Sequence, residues 1–210
     1  IHDFEVAWVG KTSEEVEAVL HSGRFGMAEE TSRFINQAMT EGDTGELGAG
    51  EAVGKFLVQA ARSKSQQRPR YPNYSLLAAA YNKKIPVTVH LAVGTDINTN
   101  HPTLDPRALG SAGHRDFRLL ARMVSHMGGG GVYLNIGSAV ILPEVFLKAV
   151  SLARNLGHRL ERIVTANFDF IQHYRPTQNV VLRPVGRTGS GYALTGHHEL
   201  MIPLLAAALI

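Results

Sequence analysis

Apolar residues in the first third of the chain recur at helical spacing. In TSEEVEAVLH, residues 12–21, Val16, Val19 and Leu20 share a face behind a Thr or Ser N-cap and an acidic first turn, which predicts a helix. AEETSRFINQAMT at 28–40 predicts a second helix, and EAVGKFLVQAARS at 51–63 a third, across a turn-rich link at 41–51. Arg, Gln and Pro then dominate to about residue 73, as expected of an exposed loop. From there the texture alternates. SLLAAAYNKK at 75–84 reads as a helix and IPVTVHLAV at 85–93 as a β-branched strand. RDFRLLARMVSHM at 115–127 places Phe117, Leu120, Val124 and Met127 on one helical face. A strand at 131–136, a helix at 143–156, a strand at 161–167 and a closing strand-turn-helix in SGYALTGHHELMIPLLAAALI follow. Strands separated by helices of this length predict parallel βαβ units, hence an α/β fold with a doubly wound, mostly parallel, Rossmann-like sheet.

Composition narrows the class. With 210 residues and 44% hydrophobic content the chain can bury a core, and we expect a single α/β domain over 1–210. The opening IHDFEVAWVG has no initiator Met and starts as if inside an element, so an N-terminal portion of the full protein is expected upstream. There is no cysteine, which excludes disulfides, thiolate catalysis and Cys-ligated zinc and leaves a cytoplasmic location as the expectation. MIPLLAAALI at 201–210 is too short to span a bilayer, so no membrane partner is expected. The net charge of +3 is mild, and the basic run RSKSQQRPR at 62–70 lacks interleaved aromatics; a solvated loop is expected there, and no nucleic-acid partner.

In a doubly wound sheet, ligands bind outside the carboxyl ends of the strands. Four turns fall there: GTDINTNHP with Asp96 and His101; Gly137 and Ser138 ahead of the helix that Pro143 helps start; Asn167, Asp169, Gln172, His173 and Arg175; and Gly196, His197, His198 and Glu199. NIGSAV is compatible with a phosphate cradle at a helix N-terminus and equally with plain close packing, because the GxGxxG spacing is absent. Adjacent His197 and His198 point to different faces and His90 lies inside a predicted strand, so no metal site is expected. Ser138 lacks the GxSxG elbow, which disfavours a hydrolase. Glu144 and Lys148 are one turn apart and predict an intrahelical ion pair.

Several segments, in order, resemble the deoxyhypusine synthase family. Its members are NAD-dependent homotetramers that oxidise spermidine and pass its aminobutyl group, through an enzyme lysine imine, to a lysine of a translation factor. IHDF at 1–4 resembles the family's acidic segment after a Thr-Ala-Gly-Gly turn. KKIPV at 83–87 with TDI at 95–97 and His101 resembles its Ile-Pro-Val strand and Gly-Asp-Met turn with trailing His. NIGSAVIL at 135–142 falls on its glycine-rich turn, VTANFDF at 164–170 on Asn-Thr-Ala-Gln-Glu-Phe-Asp, YRP at 174–176 on Ala-Arg-Pro, and HHELMIPLLAAAL at 197–209 on its closing Phe-Pro-Leu-Leu helix.

The resemblance implies a Rossmann-like fold, NAD in a cleft shared between subunits, and an amine-bearing small molecule as substrate. Carried over by position, it implies cofactor contacts from Gly137, Ser138, Thr165, Ala166, Asp3 and His197. Asp96 and Asp169 become anchors for a cationic amine, and Glu144, His101 and His173 the acid-base candidates. The departures are as specific. Pro184 stands where the imine-forming lysine belongs, and proline cannot form that imine. Pro143 and Glu144 replace two histidines, and His2 and Asp3 replace an acidic pair. The expectation is a divergent member that does not make deoxyhypusine; the alternative is a homologue that binds or scaffolds without catalysis.

Overall fold

The computed structural model describes residues 1–12, 21–23 and 29–210. Its contacts divide the chain into two compact units, Ile1–Asp116 and Phe117–Ile210. The helix expected at 12–21 lies mostly outside the described residues.

The first unit is helical among its described residues. It comprises α1 (His2–Val9), α2 (Glu29–Asp43), α3 (Ala49–Arg62), α4 (Leu76–Lys83) and the first half of α5 (Pro106–Ser125), with 3₁₀ turns at Pro72–Tyr74 and Ile97–Asn100. An aromatic cluster ties α1, α2 and α3 together. Phe4 stacks on Trp8 at 5.0 Å, Trp8 meets Phe34 at 4.7 Å and Phe34 meets Phe56 at 5.7 Å, each in the range where aromatic pairs add to simple burial. Glycines at one-turn spacing let α3 approach its neighbours: a Cβ on Gly54 would lie 2.5 Å from the Leu77 carbonyl, and one on Gly50 would overlap that of Val87.

The strand expected over 85–93 does not form. No residue of that stretch joins a ladder. Its β-branched run is used differently: Val89 and Leu91 pack against the helical core, and Val89 N–H donates to Asp116 Oδ2 at 2.8 Å instead of to a neighbouring strand. The same oxygen accepts from Gly50 N–H at 3.0 Å, so this buried carboxylate joins the start of α3, the 85–93 stretch and α5. Desolvation outweighs those hydrogen bonds and raises the Asp116 pKa above the ordinary carboxylate range.

The second unit contains a small open sheet of three parallel strands in the order β1 (Val132–Ile136), β2 (Val164–Asp169), β3 (Ser190–Thr195). The α6 helix (Ile141–Asn155) connects β1 to β2. A short helix α7 (Tyr174–Pro176) running into a π-helical turn (Thr177–Leu182) leads to β3, and α8 (His198–Leu209) closes the chain. The chain is therefore a mixed helix and sheet protein with a parallel sheet, as an α/β fold requires. α6 buries Phe146, Ala149, Val150 and Ala153, one helical stripe, against Val124, Ile163 and Val180. Tyr133 of β1 lies flat on Phe146 at 3.5 Å. β2 begins three residues later than expected because Arg162 adopts a left-handed φ of 57° and its N–H donates to Thr188 Oγ1. Among the described residues no helix is long and apolar enough to cross a membrane.

Candidate functional site

Because all three strands run the same way, their carboxyl ends bring three turns to one rim of the second unit: Gly137–Ser138, 169–173 and 195–198. The Phe168 carbonyl is their common point. It accepts from Gly137 N–H and from His198 Nε2, each at 3.1 Å, and Gly196 N–H donates to the next carbonyl, that of Asp169. Gly137 is required here for two reasons. Its φ of 69° is left-handed, and a Cβ on it would stand 3.3 Å from His198 Cε1. The His198 ring packs on the Gly137 turn, so close packing is one role of this turn.

Beneath the rim lies a row of side-chain amides. Asn135 and Asn167 face each other in register on β1 and β2, and Asn135 Nδ2 donates to Asn167 Oδ1 at 2.6 Å and to the Ser138 carbonyl at 2.8 Å. Asn167 Nδ2 donates to Gln172 Oε1 at 2.7 Å, and Gln172 Nε2 reaches the Leu194 carbonyl at 3.2 Å and Thr195 Oγ1 at 3.3 Å. The relay thus crosses all three strand ends. One acceptor is left over: Asn135 Oδ1 is, among the described residues, the buried side-chain nitrogen or oxygen without a partner. An orphan of this kind costs about 1–3 kcal/mol. The amide that carries it is fixed to the Ser138 carbonyl, directly below the turn that opens α6.

The expected site residues of this unit occupy distinct positions. Ser138 Oγ accepts from Leu142 N–H at 3.2 Å, and the Val140 N-cap makes no side-chain cap of its own. The Ser138 hydroxyl therefore closes the first turn of α6. Asp169 is buried at the end of β2 with Oδ1 accepting from Phe170 N–H at 2.8 Å. His173 and His197 are exposed on the rim, the His197 ring parallel to Phe170 at 6.0 Å. Thr165 and Ala166 lie in the middle of β2, buried; Thr165 Oγ1 donates to the Val180 carbonyl at 2.6 Å. Glu144 accepts from Lys148 Nζ at 2.9 Å and Asn179 Nδ2 at 2.8 Å, with Arg175 Nε 3.5 Å away. The Lys148 hydrogen bond, helped by Arg175 and Asn179, holds the Glu144 pKa below the usual carboxylate range. The carboxylate thus stays ionised at neutral pH, which suits an anchor better than an acid.

The remaining expected residues belong to the first unit and are engaged there. Asp3 accepts from Ser75 Oγ and Leu76 N–H, both at 2.6 Å, and so holds the start of α4. Asp96 accepts from Ala92 N–H and closes the 92–96 turn. The His101 ring pairs with Thr103 Oγ1 through Nδ1 at 2.8 Å and lies 3.5 Å from Glu29 through Nε2. Asn135 and the ring contact of His198 were missed as site features. Asn135 left a signal in the sequence, since asparagine is depleted in strand interiors and VYLNI carries one at its fourth position. Among the described residues no three His, Asp or Glu side chains are grouped to hold a metal ion.

No protein-family model, curated protein or solved structure matches this chain.

Proposed function

We propose that this chain is a divergent deoxyhypusine synthase-like protein. Its carboxyl rim binds a dinucleotide, NAD in the first instance, and acts on an amine-bearing small molecule without making deoxyhypusine. The observation that carries this reading is the buried relay Asn135–Asn167–Gln172 ending in the unpartnered Asn135 Oδ1. Buried polar groups are kept in a core only where something satisfies them. The amide is closed off from solvent and supports the reading by holding the Ser138 carbonyl, and with it the glycine turn at the mouth of a fifteen-residue helix, where a polar ligand would bind. On this reading the sheet is part of a doubly wound, Rossmann-like layer, and the protein is a homotetramer.

The residues that would hold NAD are Gly137 and Ser138, whose turn opens onto the α6 N-terminus, and Asp169 for a ribose hydroxyl or the ammonium of the substrate. When bound, NAD would supply a hydride acceptor for the carbon that carries the amine. His173, exposed on the same rim, takes up the proton that leaves the amine nitrogen. Thr165, bonded into the core, supports β2.

A second reading is favoured by Pro184. By the resemblance it stands where the family's imine-forming lysine belongs; it is buried and uses its carbonyl to accept from Arg154 Nη2. No nucleophile stands there, which suits a homologue that binds without turnover.

Thermal unfolding with and without NAD tests the proposal. At ten times Kd a ligand specific for the folded state contributes about 1.4 kcal/mol, a rise in Tm of about 3–6 °C for a chain of this size. No rise at millimolar NAD removes the cofactor half. Stabilisation without oxidation of any polyamine in the presence of NAD selects the binding reading.

A further inference from the structure

We infer that the second unit carries a separate anion site at the opposite, amino-terminal ends of the strands, built to take a phosphate-bearing small molecule. The loops that lead into β2 and β3 flank an open cleft of about 340 Å³, lined by residues that include Arg154, His158, Arg159, Glu161, Arg187 and Thr188. Its size is at the lower end of the range for small-molecule sites. Three arginines line it with one carboxylate, and that carboxylate is already matched by Arg159 at 3.3 Å. Arg154 and Arg187 are left as surplus positive charge, with the Thr188 hydroxyl and the His158 ring beside them.

The walls are fixed rather than loosely apposed. Arg154 Nη2 donates to the Pro184 carbonyl at 2.5 Å, which ties the end of α6 to the loop before β3. Arg162 N–H donates to Thr188 Oγ1 at 3.2 Å, and Ser190 N–H to the Ile163 carbonyl at 3.0 Å, which join the two loops directly. Left-handed backbone at Gly157 and Gly186 turns each loop around the opening, with φ of 87° and 60°. A Cβ on Gly186 would stand 3.9 Å from Arg154 Nη2, ordinary contact distance, so this turn runs beside that guanidinium. Planar forks with several donors are the side chains that suit phosphate oxygens, and Arg154, already held by the Pro184 carbonyl, has less freedom to lose on binding.

This site is independent of the carboxyl rim, since its lining comes from the other ends of the strands. Inorganic pyrophosphate and inorganic phosphate, titrated into the whole chain at low salt and followed by amide NMR and calorimetry, test it. The expected result is saturable binding, tighter for pyrophosphate and weaker in added salt. The moving amides should be Gly157, Gly186, Arg187 and Thr188, and NAD should not compete. The R159A/R187A double variant, both changes at exposed positions, should lose affinity about tenfold or more. Arg187→Gln should lose a smaller part with the amide spectrum otherwise intact, which keeps the test open if the double variant unfolds. Lack of saturation, shifts centred on Gly137–Ile141, unchanged affinity in Arg187→Gln, or tighter binding of an oligonucleotide than of pyrophosphate would overturn the assignment.

Discussion

Asn135 and Asn167 meet across two parallel strands, with Asn135 Nδ2 donating to Asn167 Oδ1 at 2.6 Å and both residues almost fully buried. Each amide depends on the other, and Asn135 also holds the Ser138 carbonyl. Replacing Asn135 by Ala leaves that carbonyl and Asn167 Oδ1 without their donor, and we expect destabilisation of about 1–3 kcal/mol in urea unfolding. The double change Asn135→Val with Asn167→Val removes most of the pair together. It is expected to recover only part of that loss, because the Asn167 acceptor goes together with its donor while the Ser138 carbonyl and Gln172 Oε1 still lose theirs. If NAD protection survives in the double variant, the relay is a packing feature and not part of a ligand site.

Gly137→Ala combines two costs. The left-handed φ of 69° costs a β-carbon roughly 1–2 kcal/mol, and the 3.3 Å approach to His198 Cε1 adds to it. Adding His198→Ala removes the contact but not the backbone strain, so it should restore only part of the lost stability. Full recovery in thermal unfolding would show that the ring contact alone makes glycine necessary.

A corresponding relationship exists in the first unit between Gly48 and Asp116, where a Cβ on Gly48 would overlap the carboxylate. Gly48→Ala should displace Asp116 from Gly50 and Val89 N–H and lower stability by more than about 2 kcal/mol, as two buried donors lose their acceptor. Asp116→Asn keeps one acceptor oxygen, and its loss should be smaller. Equal losses in the two variants would show that the charge of Asp116 matters as much as its place.

Helical stripes were legible because burial in them is one-sided. The α6 stripe and the β1–α6–β2 order can be read directly from apolar spacing, and the Glu144–Lys148 pair follows from one-turn separation. The 85–93 stretch was not legible. β-branched spacing reports a half-buried surface, and Val89 and Leu91 satisfy it by packing on helices while a carboxylate from α5 takes the Val89 N–H. Among the candidate site residues, Gly137, Ser138, His173 and His197 lie just past strand ends and Asp169 closes β2, positions that the alternation of strands and helices in the sequence implies. Asp3 shows the reverse: its carboxylate is spent on Ser75 and the α4 amides, a partnership made across more than seventy residues that no local pattern encodes.

His90 gives the first unit a pH dependence of defined sign. Burial holds its pKa below the ordinary 6.5, with Thr88 Oγ1 3.0 Å from Nε2. The folded state therefore resists protonation while the unfolded chain takes up the proton near pH 6.5. Stability from neutral His90 is complete above pH 6.5 and is lost as pH falls below it, toward the depressed folded value. Asp116 has the opposite sign: its pKa is raised, so its proton binds more tightly to the folded state and stability is gained as pH falls through that raised value toward 3.8. The two windows are separated by variants. His90→Gln retains a polar side chain beside Thr88 and should flatten the urea-unfolding profile between pH 7 and 5. Asp116→Asn should instead remove the gain in stability that builds as pH falls from the raised Asp116 value toward 3.8. An unchanged slope in His90→Gln would show that another group sets the pH response.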